Sequence, residues 1–290
     1  MARRPSSIDP VLATVKIGVS RRPLTDLYHY LLTSPWWVLF LLITVAYLAA
    51  NAVFAVCYLL DGGIDNARPG SFRDAYFFSV QTMATIGYGK MTPISAFSNF
   101  LVSFEALFGL VAFALATGLM FAKFSQPRAR VLFAQKAVVH VRDGKLSLMV
   151  RLANERSTGL VEANLRLSMV REEKTLEGES LRRIHTLALT RSTTSVFAFS
   201  WTAVHPIDEA SPLFGQTAEQ FAASKADLVA SLVGIEEATG QTVHARHTWS
   251  SDEVYFGQRY VDVLVFLPDG RRGVDYSRFH DIEPVPSPQK

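Results

Sequence analysis

The chain has one cysteine, Cys57, among its 290 residues, so no disulfide framework can form within it. Charge is also scarce. Only 19% of residues are Asp, Glu, Lys or Arg against 49% hydrophobic, too apolar for a disordered chain and rich for a single soluble domain. The 17 Gly and 13 Pro are scattered without a period, which excludes collagen-like repeats. The net charge is only +3, and no basic run interleaved with aromatics is present, so nucleic acid is not an expected partner. Neither a Gly-x-Ser-x-Gly elbow nor a phosphate-binding Gly-x-x-x-x-Gly-Lys loop occurs, and nothing supports an enzyme or a resident cofactor. His244 and His247 would point to opposite faces of a strand, with no Cys or carboxylate at a ligand spacing, so they do not suggest a metal site.

The apolar excess is concentrated in two places. Residues 35–60 are 26 positions without a charge, and residues 94–122 are 29 whose only charge is Glu105. At ~1.5 Å rise per residue, either run crosses a ~30 Å hydrocarbon core. Arg3, Arg4, Lys16, Arg21 and Arg22 precede the first run against Asp9 and Asp26; Lys123, Arg128, Arg130 and Lys136 follow the second; the loop between them is balanced. The positive-inside rule then puts both termini in the cytoplasm and residues 61–93 outside. The first run begins too late and is too long for a signal peptide, and no small-residue cleavage site follows it directly.

Residues 23–34 set Leu24, Leu27, Tyr28, Leu31 and Leu32 on one helical face, and beside a span such a helix is expected to lie along the inner membrane surface. Thr25 or Asp26 is its expected cap, and Pro35 separates it from the span. The expected organisation is therefore a cytoplasmic segment over 1–34, a membrane domain over 35–124 and a cytoplasmic domain over 125–290. Within the last, the runs 137–141, 146–152, 162–170, 196–204, 228–233, 241–245 and 260–267 read as short strands separated by turns such as Asp143-Gly144 and Asp269-Gly270. That spacing fits a β-sandwich.

The outward loop holds the chemistry. Residues 72–84 are apolar but only about half a membrane long, which suggests a re-entrant helix between spans at about 35–60 and 94–124. Thr85-Ile86-Gly87-Tyr88-Gly89 follows at once. Two glycines alternating with bulkier residues allow dihedrals to swing between left- and right-handed, so that successive carbonyls point one way. Carbonyls of Thr85, Ile86, Gly87 and Tyr88, with the Thr85 hydroxyl at the base, suit replacement of the hydration shell of K⁺ when repeated around an axis, and the loop closely matches the TVGYG filter of K⁺ channels. The preceding helix aims its negative end at a cation in the cavity below. One chain supplies one such loop, so a homotetramer is expected, with K⁺ as transported ion and no other metal. A bare Gly-Tyr-Gly is ordinarily a turn; the half-membrane helix before it and the spans on either side favour selectivity.

Two spans around such a loop resemble the potassium-channel pore, and further stretches narrow the resemblance to the inward-rectifier (Kir) family and its prokaryotic KirBac branch. These are Phe121-Ala122-Lys123-Phe124 with Pro127, Arg142-Asp143-Gly144-Lys145-Leu146, Leu160-Val161-Glu162-Ala163, His205-Pro206-Ile207-Asp208-Glu209 and Val274-Asp275-Tyr276-Ser277-Arg278-Phe279-His280. The match runs from about Leu24 over nearly all of the chain. It implies a membrane α plus all-β fold: a two-helix pore with re-entrant helix and filter, then an immunoglobulin-like cytoplasmic sandwich whose four copies extend the ion path. It also implies a location in the cell (inner) membrane.

Gly109, Phe113, Thr117 and Phe121 recur every four residues along the second span. Such a stripe serves packing or a pore lining; the resemblance implies pore lining, with Phe121 at the bundle-crossing gate. Gly109 and Gly118 either let the helix bend or allow close packing. Phe113 stands where strongly rectifying relatives carry an acidic residue, which implies weak rectification; Glu162 matches an acidic position of the cytoplasmic pore and leaves room for polyamine or Mg²⁺ block. Glu105 either gives structural support, pairing around the filter or with Lys90, or meets ions. Gln81 is expected to hydrogen-bond behind the filter or simply to pack.

Lys123, Arg128, Arg130 and Arg156 match basic positions that bind phosphoinositide headgroups in eukaryotic relatives, so anionic lipid is an expected partner; positive-inside topology alone also accounts for the first three. Gln126, Ala129 and Ser157 stand where relatives have further basic residues. Residues 234–240, bounded by Gly234 and Gly240, resemble a loop that constricts the cytoplasmic pore. Histidine titration near neutral pH can make gating pH-sensitive. No span is arginine-rich, so voltage sensing is not expected. Two other readings are a two-span channel gated by a small ligand, whose nucleotide-binding form needs a Gly-x-Gly-x-x-Gly turn that is absent, and a membrane-anchored sensor, in which the filter loop would have no purpose.

Overall fold

A computed structural model describes residues 23–127, 129–266, 270 and 272–285. These form two compact units that meet in sequence between Gln126 and Pro127. The segment 1–22, the capping side chains expected at Thr25 or Asp26, and Arg128 lie outside the described structure.

The first unit is helical. Helix α1 (Pro23–Thr33) stops before Pro35, and α2 (Trp36–Asp61) begins directly after it, because proline lacks the N–H that a helix interior needs but fits its entry. Gly62 ends α2 with φ +68°, returning its N–H to the Tyr58 carbonyl at 2.9 Å, a left-handed cap that glycine adopts without Cβ strain. A two-residue strand β1 (Ile64–Asp65) leads to α3 (Phe72–Met83), and its partner β2 (Thr92–Pro93) precedes α4 (Ala96–Phe124). Ser71 caps α3 by accepting from the Asp74 amide, and Ser95 caps α4 by accepting from the Ser98 amide. Phe54, Ala55 and Tyr58 of α2, Ala75, Phe78 and Met83 of α3, and Leu101 of α4 pack together. The outer faces of α2 and α4 carry bare apolar side chains such as Trp37, Val53, Phe100, Leu110 and Leu115. Water would penalise such faces, whereas lipid would not.

The second unit is a sandwich of two five-stranded sheets. One comprises β6 (Leu160–Lys174), β7 (Ser180–Leu187), β8 (Thr193–Phe197), β10 (Asp227–Glu236) and β11 (Thr242–Trp249), in the order β11-β10-β6-β7 with β8 also on β6. The other comprises β3 (Val131–Phe133), β4 (Ala137–Arg142), β5 (Lys145–Asn154), β9 (Ser200–Pro206) and β12 (Val254–Phe256), in the order β12-β4-β5-β3 with β9 on β5. Leu148, Val150 and Leu152 of β5 meet Leu165, Leu167 and Met169 of β6 and Leu228, Ala230 and Leu232 of β10 in the main core. Met149 and Ala153 of β5 face a second cluster with Val138, Tyr260 and Phe279. Burial on both faces explains why Leu148, Met149 and Val150 follow one another with no polar residue between them.

Two expected strands are in fact pairs. The run 196–204 breaks at Ala198 and Phe199 because β8 pairs with β6 while β9 pairs with β5, so the chain changes sheets there. The run 260–267 splits between β13 (Gln258–Tyr260), paired with β16 (Ile282–Pro284), and β14 (Leu264–Phe266), paired with β15 (Arg272–Val274). Edge strand β7 lies outside the expected strands, its exposed Leu-Arg-Arg-Ile-His run showing no apolar alternation. Helix α5 (Ala218–Ala223) carries a Thr217/Gln220 capping box.

His205 in this unit is buried, its Nδ1 donating to the Ala188 carbonyl at 2.7 Å while Nε2 accepts from Ser211 at 2.8 Å. Burial pulls its pKa below the usual histidine range despite the Ala188 carbonyl and Asp208. The unfolded chain therefore takes up a proton near pH ~6.5 that the folded chain refuses, so stability falls as pH drops below that value. Thermal unfolding of the full-length protein is expected to come earlier at pH ~5.5 than at pH ~7.5, and His205→Gln to remove part of that difference.

Candidate functional site

Helix α3 has 12 residues, ~18 Å at ~1.5 Å rise per residue, about half a hydrocarbon core. Its entry is tied down by Arg68, which forks onto Asp74 at 2.8 and 2.9 Å, an acid favourably placed in the first helical turn. Its end passes into the filter sequence without a free joint. The Gln81 carbonyl accepts from Ile86 N at 2.8 Å and from Gly87 N at 3.4 Å, and the Thr82 carbonyl from Thr85 N at 3.0 Å. Left-handed φ values alternate along the loop at Thr85 (+56°), Gly87 (+57°) and Gly89 (+74°). The sequence pointed to the glycines only; Thr85 is a third, non-glycine position held in that region. Among the described residues, the carbonyls of Thr85, Ile86, Gly87 and Tyr88 accept no backbone hydrogen bond, and the five residues are exposed on a single chain.

Behind the loop, Glu105 is fully buried and bonds to Ser79 Oγ of α3 and, at 2.6 Å, to Tyr58 Oη of α2. Its partners thus lie on α2 and α3, and Lys90 is not among them in the described residues. Gln81 contributes its backbone carbonyl rather than the expected side-chain hydrogen bond.

The stripe on α4 splits. Gly109 is buried, and a Cβ built on it would come within 2.8 Å of the Met83 carbonyl, so this glycine serves close approach of α4 to the end of α3. Nothing lies within 4 Å of a Cβ at Gly118, and Phe113, Thr117 and Phe121 are exposed on the single chain. Gly109→Ala must shift backbone and is expected to cost about 1–3 kcal/mol, seen as an earlier unfolding midpoint of the full-length protein, while Gly118→Ala is expected to leave that midpoint unchanged.

Lys123 departs from its expected place at a lipid headgroup. It is 4% exposed, and Nζ donates to the carbonyls of Leu31, Leu32 and Ser34 at 2.8, 2.9 and 2.6 Å, over the Trp36 ring at 5.5 Å. It closes the C-terminal end of α1, where carbonyls lack helical partners. Arg156 is also engaged, in an ion pair with buried Glu236. Arg130 is exposed.

Glu162 and Gly234 are brought together by one bulge. Val161 pairs with Ile235 and Asn164 with Val233, so β6 carries an extra residue there, and Glu162 takes it up with φ +51°. A Cβ on Gly234 would touch Ala163 at 3.4 Å. The bulge re-aims Glu162 out of the strand's alternation and leaves it exposed. Gly240, with φ +65°, closes the β10–β11 turn.

Comparison with known proteins bears on both units. Residues 131–290 match the model of the inward rectifier potassium channel C-terminal domain, and residues 42–126 match an ion channel model. The chain is 49% identical over 269 residues to the inward rectifier potassium channel Kirbac3.1 of Paramagnetospirillum magnetotacticum, covering 92% of this chain and 91% of that protein. This chain belongs to the inward-rectifier potassium channel family. Human G protein-activated inward rectifier potassium channels 1 and 3 are each 33% identical over 290 residues, or 92% of this chain, which spans 58% and 74% of their respective lengths. Membership accounts for the two apolar helices of 26 and 29 residues as the membrane part of a channel fold and for the β-rich second unit, and these relatives are channels, not enzymes.

Proposed function

We propose that four copies of the chain assemble around an axis and conduct K⁺ through stacked rings of carbonyls from Thr85, Ile86, Gly87 and Tyr88. The alternating left-handed φ at Thr85, Gly87 and Gly89 carries this reading, because it leaves four successive carbonyls without backbone partners at the end of a half-membrane helix. Residues 35–124 then form the pore in the cell membrane, with both termini and residues 125–290 cytoplasmic, as the basic flanks favour. Phe113, Thr117 and Phe121 line the path, and four Phe121 rings close it sterically and by dewetting. Phe113 in place of an acid, with Glu162 as the remaining cytoplasmic carboxylate, makes rectification by polyamines or Mg²⁺ weak. Glu236 holds Arg156 and buried carbonyls hold Lys123, so Arg128 and Arg130 are the residues through which anionic or phosphoinositide headgroups act.

Flux of K⁺ into vesicles of neutral lipid, with and without added phosphoinositide, tests gate and lipid site together. Phe121→Ala is expected to raise flux and blunt the lipid response, and Arg130→Gln to blunt the lipid response alone. Unchanged behaviour of both variants would remove the gate and the headgroup site from the account.

A further inference from the structure

Asn51, Tyr58, Ser79 and Glu105 meet behind α3, all four fully buried. The Asn51 amide nitrogen donates to the Tyr47 carbonyl at 2.8 Å and to Met83 Sδ at 3.4 Å. That fixes the amide's orientation, since the flipped form would set oxygen against oxygen. Asn51 Oδ1 therefore stands as an acceptor 3.0 Å from Ser79 Oγ. Ser79 Oγ also bonds to Glu105 Oε1, and Tyr58 Oη donates to Glu105 Oε2.

Ser79 has one proton and faces two acceptors. If the proton goes to Glu105, Asn51 Oδ1 and Ser79 Oγ oppose each other lone pair to lone pair, and a full carboxylate charge stays buried at membrane depth. The side chains bonded to Glu105 are Tyr58 of α2 and Ser79 of α3; neither is a cation, no ion pair of Glu105 occurs among the described residues, and an unpaired buried charge is the costliest arrangement available. If instead Glu105 is protonated, every bond is made: Tyr58 to Glu105, Glu105 to Ser79, Ser79 to Asn51, Asn51 to Tyr47 and Met83.

We infer that Glu105 is a neutral carboxylic acid at neutral pH, and that its proton completes a chain of hydrogen bonds joining α2, α3 and α4. Asn51, Ser79 and Glu105 are then positioning residues. They fix α3, whose Gln81 carbonyl holds the Ile86 and Gly87 amides. The inference rests on the channel reading only for its consequence in flux.

Infrared difference spectra of full-length wild type and Glu105→Gln in vesicles at neutral pH read the proton directly, whether or not the protein conducts. The wild type is expected to show the carbonyl stretch of a protonated acid that the variant lacks; a difference confined to carboxylate bands would overturn the inference. In the glutamine variant an amide N–H replaces the acid's O–H toward Ser79 and the amide oxygen still accepts from Tyr58. K⁺ flux should therefore stay within ~3-fold of wild type in Glu105→Gln and fall ~10-fold or more in Glu105→Ala. Equal loss in both variants, from protein of unchanged assembly, would overturn the positioning role.

Discussion

Gly87→Ala is expected to leave the chain folded and assembled but to abolish K⁺-selective flux. A Cβ at Gly87 meets nothing within 4 Å in a single chain, so no clash opposes folding. The cost lies in the backbone: φ is +57°, and an L-residue there costs about 1–2 kcal/mol. In the proposed tetramer four such positions share one axis, so the strain adds to about 4–8 kcal/mol per pore and favours turning the carbonyl away. Thr85 holds the same region with its N–H bonded to the Thr82 carbonyl at 3.0 Å, whereas the Gly87 N–H reaches the Gln81 carbonyl only at 3.4 Å. Unchanged ion selectivity of Gly87→Ala, measured on assembled protein in vesicles, would contradict the filter assignment.

Lys123→Met is expected to unlatch α1. An 11-residue helix is marginal by itself, and this one ends in carbonyls gathered by the Lys123 ammonium. Methionine keeps the stem but removes the shared donor, leaving the Leu31 carbonyl only its bond from Ser34 Oγ at 3.2 Å, which costs about 1–3 kcal/mol. Amide hydrogen exchange over residues 27–33 is therefore expected to accelerate about 5- to 150-fold. Lys123→Arg should rescue only partly, because a planar fork does not converge on three carbonyls as a compact ammonium does. Lys123 stands two residues beyond Phe121, so loss of the latch is also expected to alter opening at that ring. Unchanged exchange in Lys123→Met would show that α1 is held by its apolar face alone.

Much of this architecture was legible because membranes forbid charge. Two long apolar runs, one uncharged and one whose only charge is Glu105, marked the two long apolar helices. The sandwich was legible as strands, but not where chain crossings such as Ala198–Phe199 or an edge such as β7 removed the alternation. Side-chain roles that depend on distant partners were hidden. Lys123 at the end of a span reads as a headgroup contact by position, and only the fold shows the carbonyls 89 to 92 residues away that occupy it. Glu105 reads as an isolated membrane charge until Tyr58 and Ser79, 47 and 26 residues distant, come against it. Gly109 admitted bending or packing equally, and the Met83 carbonyl favours packing. Thr85 and Glu162 hold left-handed φ against their own preference, which no local pattern announces.

The central claim is that the carbonyls of residues 85–88 replace the water around K⁺. Uptake of K⁺ and of Na⁺ under the same gradient, by wild-type protein shown to be tetrameric and reconstituted in vesicles containing and lacking phosphoinositide, tests it most directly. Uptake strongly favouring K⁺ in at least one lipid condition is the predicted result, whereas equal uptake of the two ions, or none in either lipid, would contradict it.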